Sequence, residues 1–146
     1  MSAWFARRAH ELAVFCILLG VLLFLGMTAK VAIDSRAHFL RGEALAAKAS
    51  RSGSNKDLMA AVDAHAKAVS AYVPFVSAAG ESLGRLRNIG LELQRAGQTR
   101  RAQTVWLQAA EASLSLVLVY DPFAKERAEL YALLRGSRSA SSSSPQ

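Results

Sequence analysis

Residues 12–29, LAVFCILLGVLLFLGMTA, are eighteen consecutive residues without a charge, and they constrain this chain more than any other feature. As a helix rising about 1.5 Å per residue they extend about 27 Å, and continuing to Ile33 gives about 33 Å. The hydrocarbon core of a bilayer is roughly 30 Å thick. Lys30, just inside that end, can extend its ammonium towards the boundary. The chain has 146 residues. Once this segment and the serine-rich end are set aside, about a hundred remain, too few to wrap an all-apolar helix on every side. Residues 12–33 are therefore expected to form a transmembrane anchor in the lipid bilayer, preceded by a short basic segment, residues 1–11, carrying Arg7, Arg8 and His10.

A basic head before an apolar run is also the layout of a secretory signal. The run here is longer than the roughly 7–15 residues such signals use, and no clean small-x-small site precedes a polar start. Gly26-Met27-Thr28 comes closest. An uncleaved signal anchor is the expectation. Lys30, Arg36, Arg41 and Lys48 follow the span, so simple counting of basic residues favours one orientation while the signal-like layout favours the other. The layout decides for a cytoplasmic N-terminus and an extracytoplasmic body. With the Arg/Ala-rich composition, it leads to the expectation of a single-pass protein of the bacterial inner (cytoplasmic) membrane. Cys16 lies in the span and reads as a small hydrophobe.

The rest reads as all-α. Ile33, Ala37, Leu40, Ala44 and Ala47 recur at helical spacing, so the anchor continues without a breaker as a stalk with one apolar face. Residues 51–55, RSGSN, form a turn in which Ser54 or Asn55 can cap the next helix. A second helix over 56–72 carries the stripe Leu58, Val62, Ala66, Val69 and Val73. Pro74 suits a first helical turn and opens a third helix over 74–96, facing inward with Phe75, Ala79, Leu83, Leu86, Ile89, Gly90 and Leu93. Gly97 closes it, and Thr99 caps a fourth helix with Ala102, Val105, Trp106, Ala109, Ser113, Leu116, Val117 and Tyr120 on one side. Asp121-Pro122 starts a fifth that reaches Arg135 through Phe123, Leu130, Leu133 and Leu134. The helical domain is thus residues 34–135. Residues 136–146, with serine at six of the last ten positions, read as a disordered Ser-rich tail.

Tyr72-Val73-Pro74-Phe75 is echoed 48 residues later by Tyr120-Asp121-Pro122-Phe123, and Glu81 and Glu129 share the offset. Leu86, Ile89-Gly90 and Leu93, then Gly97, then Ala102, Trp106 and Ala109 fall in the pattern of a tetratricopeptide repeat, which this stretch resembles. Upstream, Ala61, His65 and Ala68 resemble the second helix of a preceding unit, and Leu40 and Gly42 its first. The resemblance implies a stack of antiparallel helix pairs that binds protein partners. The residues taken alone allow a plain antiparallel helical bundle as well.

Chemistry is sparse. One cysteine excludes an internal disulfide. His10, His38 and His65 are scattered, and Asp34 with His38 would need further ligands to hold a metal. Glu126 and Glu129 beside Arg127 read as a solvated helix face. No phosphate loop, nucleophile elbow or dinucleotide motif occurs. No catalytic residue, metal or cofactor is expected, and the chain is not expected to be an enzyme. Residues 34–146 hold 15 Lys+Arg against 10 Asp+Glu. Arg85, Arg87, Arg95, Arg100 and Arg101 cluster around the third-to-fourth helix turn and form the expected interaction surface. Such a patch could meet lipid headgroups, an acidic protein or nucleic acid. Glu92 and Glu111 interrupt it, which with the anchor weighs against nucleic acid. The expected role is a scaffold or assembly factor for an envelope complex, with membrane-associated protein partners. The alternative is an integral accessory subunit of a membrane complex.

Overall fold

The computed structural model describes residues 2–114 and 121–142, and among them every regular element is a helix. The five are α1 (Ser2–Ser52), α2 (Asn55–Ser70), α3 (Ala79–Arg95), α4 (Thr99–Leu114) and α5 (Ala124–Ser142). α1 is a single helix of 51 residues, about 76 Å long. Its N-terminal part is long and apolar enough to cross a membrane: an eighteen-residue stretch has a mean hydropathy of 2.7 and no buried residue. Its C-terminal part continues into the folded body as expected.

Gly53 ends α1 at φ 64, its N–H bonded to the Ala49 carbonyl, and Ser54 caps α2 by accepting from the Asp57 N–H at 3.3 Å. Gly97, at φ 74, closes α3, where the Gln98 N–H reaches the Leu93 carbonyl at 2.8 Å. This is the left-handed closure that favours glycine. The Ala102 N–H bonds the Gln98 carbonyl, so α4 starts from Gln98 rather than from a Thr99 cap.

α2 to α5 share one core. Val62, Val69, Leu83, Leu86, Val105, Trp106, Phe123 and Leu130 pack together inside it, and Ala102 and Ala109 keep the helices close. Of the expected inner residues, Leu58, Ile89 and Leu133 are half-buried at its margin, and Leu116, Val117 and Tyr120 lie outside the described residues.

α1 joins this body by the opposite face from the one its periodicity indicates. Ile33 and Leu40 are 68% and 55% exposed, and Ala37, Ala44 and Ala47 are exposed too. The buried residues are Ser35, Gly42 and Ala49, seven apart and about 160° around the helix from the expected stripe. Small side chains let the α1 and α2 backbones approach, so the seam selects for lack of bulk rather than for hydrophobicity.

Ser35 is the polar fastener of that seam. Its hydroxyl donates to the Ala68 carbonyl at 3.0 Å and accepts from the Ala78 N–H at 3.2 Å, tying α1 to the end of α2 and the start of α3. Substituting Ser35→Ala leaves both backbone groups buried without this partner. A loss of about 1–3 kcal/mol is expected in urea unfolding followed by circular dichroism. An unchanged midpoint would remove the fastening role.

The expected third helix begins five residues late. Residues 71–78 form a turn in which Val73 accepts from the Val76 and Ser77 N–H groups, and Phe75 stands at φ 66 with its side chain fully exposed. A left-handed residue cannot continue a right-handed helix, so Pro74 opens a turn and Phe75 leaves the inner face assigned to it. α2 correspondingly stops at Ser70, before Tyr72. At the other proline, Asp121 accepts from the Phe123 N–H at 3.3 Å and pairs with Arg127, and Phe123 is buried edge-on against Tyr72. The two Pro-Phe echoes therefore have opposite fates. α5 also runs past its expected end at Arg135 to Ser142, because Ser137 is buried and its hydroxyl accepts from the Gln103 amide at 3.0 Å.

Candidate protein-interaction surface

Two helix pairs are built on the same contact. In the α3–α4 pair, Gly90 lies beneath the indole of Trp106. A Cβ on Gly90 would stand 2.6 Å from two indole carbons, Cδ1 and Cε2, well inside van der Waals contact. The indole N–H donates to the Arg87 carbonyl at 3.3 Å. In the α1–α2 pair, Gly42 lies beneath the His65 ring, and a Cβ there would come 2.7 Å from Nε2. Gly42 and Gly90 are 48 residues apart, the spacing of the proline echo. Ala61 and Ala68 flank His65 on α2 as Ala102 and Ala109 flank Trp106 on α4, all four fully buried. The packing set Leu86, Gly90, Leu93, Ala102, Trp106 and Ala109 is brought together as expected, with Ile89 at its rim.

The five arginines do not converge. Arg85 turns to α1, where Nε donates to Glu43 Oε1 at 2.6 Å and a second guanidinium nitrogen meets Oε2. Arg87 turns to the other side of α3 and pairs with Glu129 of α5 at 3.3 Å. Glu81 likewise reaches back from α3 to Arg36 of α1 at 3.0 Å. Arg85 and Arg87 therefore link neighbouring helices, two positions apart but about 160° round the helix from one another. Arg95, Arg100 and Arg101 remain together at the turn between α3 and α4. Arg95 and Arg100 are exposed, and Arg101 donates to Asn55 Oδ1 at 2.8 Å, joining this turn to the one between α1 and α2. Both turns lie at the end of the body that α1 reaches after rising about 28 Å from Ile33.

His65 is the feature whose chemistry sequence reading passed over. It is fully buried, neither ring nitrogen has a hydrogen-bond partner, and Nε2 stands 3.5 Å from Glu43 Oε1. A cavity of about 240 Å³ beside it is lined by Glu43, Arg85, Asn88 and Glu92. Burial holds the imidazole below its ordinary pKa; nearby Glu43 works against that shift and Arg85 adds to it. The hydrogen bond from Arg85 holds the Glu43 carboxyl below its usual range. A lowered folded pKa means the unfolded chain binds protons first as pH falls. Stability is then fully present above the ordinary histidine value of 6.5 and is lost below it, with Glu43 adding a second loss below 4.5. Thermal unfolding is expected to weaken from about pH 7 to pH 5, and His65→Phe should flatten that window while leaving the more acidic loss. Parallel profiles for the two proteins would show that another group titrates.

Among the described residues, no group of three or more His, Cys, Asp or Glu side chains is placed to hold a metal ion. The larger open groove, about 480 Å³, lies between α4 and α5 along Leu107, Tyr131, Leu134 and Arg135. The chain is therefore an all-helical protein with one helix long and apolar enough to span a membrane. No protein-family model, curated protein or solved structure matches it.

Proposed function

We propose that this protein is a single-pass, membrane-anchored docking module whose helical body stacks tetratricopeptide-like pairs and holds a protein partner without catalysis. The observation that carries this reading is the repeated glycine-under-ring contact, Gly42 with His65 and Gly90 with Trp106. Equivalent close pairs set at a constant spacing are how stacked helical repeats build a rigid surface. α1 then works as a signal anchor in a bacterial inner membrane with the body on the extracytoplasmic side, and the partner belongs to an envelope complex that the protein scaffolds or helps assemble.

The docking surface is the cationic end that carries Arg95, Arg100 and Arg101. It stands about 28 Å up α1 from the end of the apolar span, beyond reach of headgroups at that boundary, so its fitting partner is an acidic protein surface. Photocrosslinkers at Arg87, Arg101 and Leu134 in the full-length protein test this directly. The Arg101 position should capture a defined partner, and Arg95→Glu with Arg100→Glu should cut that yield about tenfold. Capture at Leu134 alone, insensitive to the reversal, would move the surface to the α4–α5 groove.

The integral accessory-subunit reading draws on a different feature. Gly20 and Gly26 have open space around them and the apolar side chains from Leu12 to Met27 are exposed, leaving the span free to pack against other spans. Copurification with a multispan protein that survives the arginine reversal would favour that role.

A further inference from the structure

The turn at residues 71–78 is the most exposed apolar feature of the body. Phe75 is 105% exposed and Val76 67%, and Pro74 is exposed between them and Val73. Phe75 also stands at φ 66, a conformation bulky residues rarely adopt. No contact inside the domain takes up the ring, so neither the strain nor the exposure serves the core.

The position of the turn says what it can meet. Its N-terminal end, Ala71, borders a surface hollow formed with Val31, Asp34 and His38 of α1. Its C-terminal end is tied by the Ala78 N–H to Ser35. Both ends are thus held level with residues 31–38 of α1, where the apolar span gives way to the body. Val31 and Ile33 are exposed on α1 at the same height, so the apolar surface of the span continues onto this turn.

We infer that residues 73–76 dock into the interfacial layer of a phospholipid bilayer beside α1, giving the body a second, shallow point of attachment. The inference rests on α1 being the membrane span. Nearby cations are already matched within the protein: Lys30 with Asp34 at 2.7 Å, Arg36 with Glu81 at 3.0 Å and Lys67 with Asp63 at 2.8 Å. The contact is consequently apolar and insensitive to salt. An aromatic ring at the headgroup level is the ordinary device for such an attachment. With α1 it would fix the tilt of the body and hold the arginine end away from the surface.

The test uses the full-length protein in phosphatidylcholine vesicles, in a Trp4→Phe background that leaves only the buried Trp106 as native reporter. Phe75→Trp, with Val76→Trp as a second reporter, adds an indole to the turn. Lipids brominated near the headgroup end of the acyl chain should remove about half of the added emission, and lipids brominated near the chain terminus less. Raising the salt should change neither. Leu22→Trp, in the span, should show the reverse depth preference, and Arg100→Trp should show no quenching. If the indole at position 75 behaves like that at 100 while the one at 22 is quenched, the span stands and the docked turn is wrong. If the indole at 22 is unquenched as well, the span reading falls and takes the docked turn with it.

Discussion

Trp106→Ala lowers the unfolding free energy of the helical body by about 3–5 kcal/mol, as measured by urea titration of the full-length protein in micelles. Trp106 is the largest fully buried side chain, and it sits where α3 and α4 meet. Removing it forfeits the apolar burial, opens a cavity the surrounding helices close only in part, and releases the Arg87 carbonyl from its second donor. A loss under about 1 kcal/mol would place the tryptophan at a yielding margin instead of at the centre of the pair.

The second large effect comes from adding a single methyl group. Gly90→Ala should destabilise by about 1–3 kcal/mol, although alanine is the better helix former by about 1 kcal/mol. The sign is decided by space, because the new Cβ would stand 2.6 Å from indole carbons that the buried ring has no room to withdraw. The two effects are coupled. In the Trp106→Ala background the same substitution fills vacated space, so Gly90→Ala becomes neutral or stabilising by up to about 1 kcal/mol. Persistence of the full penalty without the indole would mean that the clash is not with Trp106.

Much of this was legible from residue order. The uncharged run from Leu12 to Ala29 announced a helix no small body could cover, and in the fold no residue of its core is buried. Period and punctuation located five helices, because Gly53 and Gly97 occupy left-handed positions that terminate a helix in any context. The large-small pattern from Leu86 to Ala109 identified the α3–α4 pair, since a glycine opposite a tryptophan is a local statement about two facing helices.

What residue order did not reveal were choices between alternatives of similar local merit. α1 carries a stripe of larger apolar residues, Ile33 and Leu40, and a seam of smaller ones, Ser35, Gly42 and Ala49. Only contact with α2 selected the seam, because closer backbones bury more surface than protruding side chains do. The tetrapeptide echo gave Phe75 and Phe123 equal standing, yet Phe123 found Tyr72 to pack against while Phe75 was turned outward by its backbone. Arg85 and Arg87, two residues apart, were drawn to Glu43 and Glu129 on opposite sides of α3. The sequence determined where the helices lie and which one can cross a membrane, since those depend on neighbours within a few turns. The tertiary structure alone decided which face of α1 is covered and which arginines stay available, because both depend on partners more than forty residues away from the helix, Arg85 from Glu43 and Arg87 from Glu129.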